Sequence, residues 1–300
     1  MPFTRRQFIA TAAATALIPA PGWSARELTF GNRRIDTLSD GNLVLPASFT
    51  LGETPAAEAA PILARYGLGT DQLTPPCNVT LLRDGTNTVL FDVGSGPDFM
   101  PSAGKLMQAF DALGITPDDI THVVFTHGHP DHLWGLLDDF DDPLFINARH
   151  LIGKAEFDYW MDPETVNTIA PARTTMAVGA KRRLEAIEDT VTTFSGGEEI
   201  LPGIAAVATF GHTPGHMSFD IAGEAMVVGD AIVNHHLAFE RPDWRSGSDQ
   251  DPDLGAKTRS RLLDQLATDK MALIGFHLPG GGIGHAERGP EGYRYVTEEM

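Results

Sequence analysis

Short apolar runs separated by turn residues recur along this chain, with longer stretches of helical spacing set between them. Arg34–Leu38, Cys77–Leu82, Val89–Val93 and Val123–Thr126 are rich in β-branched and apolar residues, and each predicts a strand. Leu144–Asn147 predicts a return to strand. Gly104–Leu113 has helical spacing and is closed by Gly114 near Pro117. Residues 154–188 show mixed helical patterns, clearest over Thr175–Ile187. A second group of strands follows from Val191 to Val228, including Ile204–Thr209 and Ala225–Val228. A helix is expected over about Leu254–Leu266, and the apolar run Met271–Phe276 leads to His277. The Pro- and Ala-rich stretch Pro55–Pro61 reads as a surface loop or flap. Two such halves fit an α/β fold built as a four-layer αβ/βα sandwich. No linker, repeat or low-complexity tract divides the chain, so residues 26–300 read as one domain.

The first 25 residues break this pattern. Thr4-Arg5-Arg6-Gln7-Phe8-Ile9 is a twin-arginine pattern ahead of an apolar run from Phe8 to Ala20, in a segment with no acidic residue. The run is too short to span a bilayer, so no stable membrane insertion is expected, but it suits the middle of an export signal. Residues 1–25 are therefore expected to be a twin-arginine signal, with a cut near Ala25 and a periplasmic or secreted mature protein. Composition narrows the partners. With 22 basic and 40 acidic side chains the net charge is −18, which disfavours polyanions and argues against nucleic acid. Cys77 is the only cysteine, which excludes an intramolecular disulfide and leaves it as a small buried hydrophobe.

The chemistry concentrates in Thr126-His127-Gly128-His129-Pro130-Asp131-His132, directly after the apolar run Val123-Val124-Phe125. Imidazole and carboxylate together suit zinc or a similar first-row divalent ion. One tetrahedral ion does not need so many donors so close together, so the run suggests two metals. Further donors stand at the ends of other strands: His212 and His216 in Gly211-His212-Thr213-Pro214-Gly215-His216, Asp230 in Val228-Gly229-Asp230, and His277 in Gly275-Phe276-His277.

In these segments and their order, the chain resembles the metallo-β-lactamase-fold hydrolases, whose H-x-H-x-D-H signature is followed by a His, a bridging Asp and a last His. The resemblance runs from about residue 28 to the end. It implies one ion held by His127, His129 and His212, a second held by Asp131, His132 and His277, and Asp230 bridging the two. Two divalent ions, expected to be zinc, are the implied cofactors. His216 and Asp92 match positions that support the site without binding metal. A homodimer is also what the resemblance suggests.

Two adjacent cations lower the pKa of a water toward neutrality, polarise the bond under attack and hold the developing oxyanion. Asp131 and Asp230 are the expected catalytic carboxylates, with Asp131 also available as a proton acceptor. A Gly-x-Ser-x-Gly nucleophile pattern is absent, so hydrolysis by activated water leads. No general acid stands out, which favours small-molecule substrates with good leaving groups: aryl esters, organophosphate triesters or strained lactones. Thr193-Phe194-Ser195-Gly196, Leu201-Pro202-Gly203-Ile204, Phe239-Glu240-Arg241-Pro242-Asp243 and His277-Leu278-Pro279 resemble the methyl parathion hydrolase branch. The chain departs from that branch at Gly280-Gly281. Quorum-quenching lactonases share the ligands but typically carry a Tyr three residues after the bridging Asp, where this chain has Val233. A mono-iron persulfide dioxygenase is a further alternative from another class. Trp134 and Trp160 are read as pocket walls or core, and His285 as a rim residue or a brace for the glycine turn.

Overall fold

The computed structural model describes residues 24–297. The predicted export signal falls outside them except for Ser24 and Ala25, which open the first strand.

The strands, in chain order, begin with β1 (Ser24–Phe30), β2 (Arg33–Asn42), β3 (Leu45–Pro46), β4 (Gln72–Leu73), β5 (Pro76–Arg83) and β6 (Thr88–Phe91). They continue with β7 (His122–Phe125), β8 (Arg149–Gly153), β9 (Thr192–Phe194), β10 (Glu199–Leu201) and β11 (Ile204–Ala208). The last are β12 (Met217–Ile221), β13 (Ala225–Val227), β14 (Ala272–Ile274), β15 (Ile283–Arg288) and β16 (Tyr293–Thr297). One seven-stranded sheet has the order β1-β2-β5-β6-β7-β8-β9 and the other β10-β11-β12-β13-β14-β15-β16, while β3 and β4 pair apart. Strands β6 to β9 run parallel, as do β13 and β14; the remaining pairs are antiparallel.

The helices are α1 (Ala47–Leu51), α2 (Ala56–Arg65), α3 (Leu106–Leu113), α4 (Pro130–Leu133), α5 (Lys154–Met161), α6 (Thr165–Thr168), α7 (Thr174–Glu185), α8 (Leu237–Glu240) and α9 (Pro252–Asp269). None is long and apolar enough to cross a membrane among the described residues.

Side-chain alternation along each strand decides the layering. In β7, Val124 faces the other sheet, packing with Phe91, Met217, Phe219 and Ile274, whereas Val123 and Phe125 face Phe110, Trp160 and Leu184 on the helical side. On the outer face of the second sheet, Met226 and Leu273 pack under Leu262, Leu263 and Leu266 of α9. Both sheets thus bury two faces, which explains why their strands read as nearly continuous apolar runs. The expected four-layer αβ/βα sandwich is the observed fold.

Two local expectations fail. Leu144–Asn147 is a turn, with Ile146 72% exposed, and the strand lies later at β8, where Val123 pairs with His150. Of that run only Phe145 is fully buried, with neighbouring Leu144 packed partly against the same core, so its hydrophobicity reflects adjacent anchors rather than an alternating face. Pro55–Pro61 belongs to helix α2, not to a loop or flap. Its alanines favour helix, Pro55 precedes the first turn, and Ala59, Ile62 and Leu63 pack on Leu51, Leu73 and Leu237 despite the internal Pro61.

Candidate metal centre

All seven predicted donors lie shortly beyond strand ends, on loops or short helical turns. His127 and His129 lie between β7 and α4, and Pro130 opens α4 so that Asp131 and His132 turn back within its single turn. His212 lies between β11 and β12, Asp230 in the 3₁₀ turn after β13, and His277 just beyond β14.

The structure gathers them in two adjoining groups. His127 Nε2 is 3.0 Å from His129 Nδ1, which is 2.9 Å from His212 Nε2. Asp131 Oδ2 lies 3.1 Å from His277 Nε2 and 3.4 Å from His132 Nε2. Asp230 touches both groups, with Oδ2 3.2 Å from His212 Nε2 and Oδ1 3.3 Å from His132 Nε2. Asp131 Oδ2, His132 Nε2 and Asp230 Oδ1 are buried with no hydrogen-bond partner among the described residues, and His129 turns its Nδ1 toward His127 and His212. Buried polar atoms left unpaired are costly, so three together beside a cluster of imidazole nitrogens call for an occupant. Imidazole nitrogens and carboxylate oxygens in this number fit two divalent cations.

The electrostatics agree with that fit. Burial and neighbouring imidazoles push His127 and His129 well below the usual imidazole range, into the neutral form that binds metal. Burial would also lower His132 and His277, but Asp230 and Asp131 outweigh it and raise both well above that range. Burial would raise Asp131 and Asp230, yet His132 and His277 hold both carboxyls below their ordinary range. The carboxylates stay charged, and protons on two imidazoles stand where cationic charge is wanted.

Supporting residues fix the ligands. His132 Nδ1 donates to Asp92 Oδ2 at 2.8 Å, and Asp92 also accepts from the backbone and hydroxyl of Thr126 at 2.8 and 2.7 Å. His277 Nδ1 donates to the Pro76 carbonyl at 2.8 Å, leaving Nε2 for the site. His216 Nε2 accepts from the Asp230 backbone N–H at 2.9 Å, so it holds the carboxylate's turn in place. Cys77 is buried in β5, its thiol pushed up to about 11 by burial, with its sulfur within 4.8 Å of donor atoms on Asp131 and His277.

Glu156 and Asp249 escaped the sequence reading. Buried Glu156 on α5 accepts from Gly128 N at 2.8 Å and Trp160 Nε1 at 2.5 Å, and from Thr213 Oγ1 at 2.7 Å and Gly215 N at 2.9 Å. One carboxylate therefore ties the His127–His129 loop to the His212 loop. Asp249 Oδ1 accepts from His212 Nδ1 at 3.2 Å.

Above the donors opens a cleft of about 240 Å³, walled by Leu43, Leu45, Phe49, Phe99, Met100, Met176 and Val233, with His129, Asp131, His212, Asp230 and His277 at its polar end. Trp134 and Trp160 are core residues rather than cleft walls: the Arg183 guanidinium sits 4.4 Å over Trp134, and Trp160 is held by Glu156. His285 lies in β15 opposite Val296. Gly280, Gly281 and Gly282 all have positive φ, and a Cβ on Gly282 would fall 2.3 Å from the Gly275 carbonyl, so the departure at Gly280-Gly281 meets a turn that needs glycine.

The family model for the metallo-beta-lactamase superfamily matches residues 74–277. A metallo-beta-lactamase domain-containing protein 1 from Xenopus laevis is 30% identical over 65% of this chain and 70% of its own length. An N-acyl homoserine lactonase from a Bacillus species is 26% identical over 80% of this chain and 85% of its own. Among solved structures, the dizinc quorum-quenching lactonase AidC, in complex with a product, superposes with a TM-score of 0.84 at 24% identity, covering 92% of this chain and 97% of that one. The hydrolase AbOPH of the beta lactamase superfamily gives 0.83 at 25% identity, covering 91% and 97%.

Proposed function

The chain belongs to the metallo-β-lactamase superfamily, and from that membership we propose that it is a two-metal hydrolase of ester-type bonds in small, largely apolar molecules. The observation that carries this reading is the set of unpaired buried donors at the polar end of an apolar cleft. His127, His129 and His212 would hold one ion, Asp131, His132 and His277 the other, with Asp230 shared between them. Two such cations, zinc being the expected pair, would supply Lewis acidity and make a water acidic enough to ionise near neutral pH.

The chain's own residues do the remaining work. Leu43, Phe49, Phe99 and Met176 exclude water around the apolar part of a substrate and turn its polar bond toward the donors. Asp131 and Asp230 keep negative charge in a buried place, and an Asp131 carboxylate oxygen is positioned to take up a proton. Val233 contributes only methyl groups where a hydroxyl could assist a carbonyl, and among the described residues that line the cleft the donors themselves are the only ordinary general acids. Rate should then follow leaving-group stability.

Aryl esters, and phosphotriesters with nitrophenol leaving groups, are therefore expected to outpace alkyl esters and unsubstituted acyl-homoserine lactones. The likeness to a named N-acyl homoserine lactonase and to AidC favours a second reading, a quorum-quenching lactonase. Measuring kcat/KM for the three classes on metal-replete enzyme separates the two. A lactone preferred by more than about tenfold, roughly 1.4 kcal/mol of transition-state stabilisation, would make the lactonase the better description. Export by the twin-arginine route is part of the same proposal, motivated by Arg5, Arg6 and the apolar run after them.

A further inference from the structure

The segment from Pro242 to Asp249 runs past the His212 loop and is gripped by two buried arginines from different parts of the fold. Arg259 of α9 donates Nε to the Pro242 carbonyl at 3.1 Å, Nη2 to the Trp244 carbonyl at 2.6 Å and Nη1 to Asp249 Oδ2 at 3.2 Å. Arg173, just ahead of α7, donates Nη2 to the Gly247 and Ser248 carbonyls, both at 2.8 Å. Asp249 and Arg259 are each at least nine-tenths buried. The segment is also stitched to the ligand loop: Gln250 N donates to His212 O at 3.0 Å and Asp251 N to Gly211 O at 2.9 Å. Close packing holds the carboxylate against α9, because a Cβ on Gly255 would fall 2.3 Å from Asp249 Oδ2.

We infer that Asp249, held by this two-arginine clamp, is a positioning residue that aims His212 and so sets how tightly one of the two ions is held. The inference rests on the two-metal reading of the site. Asp249 Oδ1 takes the Nδ1–H of His212, which fixes the tautomer and turns Nε2 toward His127 and His129. Arg259 on the other carboxylate oxygen keeps the charge buried and paired, at a fixed place. The second group of donors has a different support, since His132 leans on Asp92, which is held by Thr126. His212 and His132 therefore lean on different carboxylates, Asp249 and Asp92, although the Thr126 hydroxyl on Asp92 also lies 3.0 Å from His127 Nδ1, so Asp249 is the support that touches one group alone.

The test is metal binding rather than turnover. Wild type, Asp249→Asn, Asp249→Ala and Asp92→Asn are loaded with Co²⁺, and affinity is measured by chelator competition against the visible absorption of the bound ions. Both Asp249 variants should weaken one ion by about 10- to 100-fold and leave the other at its wild-type affinity. Asp92→Asn should weaken the ion at His132, and the double variant should weaken both. Thermal unfolding of the metal-free proteins is followed in parallel; both Asp249 variants leave buried Arg259 without its carboxylate and should unfold below wild type, so the readout is the difference between the two ions within one folded variant. Wild-type affinities at both ions in the Asp249 variants would overturn the inference and leave the two-metal reading standing. Equal loss of both ions would overturn it too, since that marks a merely structural residue. A wild-type protein that binds no pair of ions would remove the two-metal reading and the inference with it.

Discussion

His127, His129, Asp131 and His132 were legible because four donors within six residues have no ordinary structural reason to sit together. His212, Asp230 and His277 became legible as donors at the ends of apolar runs. Glu156 was not, because a single acidic residue in the first turn of an amphipathic helix looks like a solvated one. Only the tertiary fold shows it accepting three hydrogen bonds from two donor loops and a fourth from Trp160 on its own helix. Its substitution gives a direct prediction. Glu156→Gln replaces an all-acceptor group with one that presents an N–H₂ to buried donors, leaving at least one of them unpaired. The expected loss of stability is about 1–3 kcal/mol per group left unpaired, read from chemical denaturation. Metal affinity should fall as well, because the two loops lose their common tie. A change within about 0.5 kcal/mol, the range of ordinary surface substitutions, would show that the carboxylate does not brace the site.

Among the elements, strands buried on both faces were found because β-branched and apolar runs bounded by turn residues leave little choice. Helix α7 and most of α9 were found from their spacing. The misses have a shared cause. Residues 144–147 and 55–61 were judged by local composition, whereas their state depends on what lies beside them: Phe145 docks into an existing core, and α2 is stabilised by Leu51, Leu73 and Leu237. The N-terminal segment is judged by pattern alone. If the twin arginines are the address, replacing Arg5 and Arg6 by Lys keeps both charges yet should leave the precursor in the cytoplasm, as followed by cell fractionation. Undiminished export of the doubly substituted chain would refute the assignment.

At the scale of the molecule, two sheets face each other and the donor loops gather at their ends, so neither half carries the site alone. The β7–α4 connection and α4 supply four donors, and connections of the second sheet's strands supply His212, Asp230 and His277. This architecture links metal binding to pH. In the metal-free protein His132 and His277 hold protons more tightly than a free imidazole, because Asp230 and Asp131 face them. An ion must displace those protons, so affinity rises with pH and falls on acidification. The most direct test of the two-metal hydrolase is metal content measured alongside activity, before and after chelation at constant pH. The account predicts two divalent ions per folded chain, esterase activity abolished by chelation, and recovery with Zn²⁺, Mn²⁺ or Co²⁺. A metal-free preparation with full activity would contradict it, and so would a single iron accompanied by oxygen consumption on persulfides.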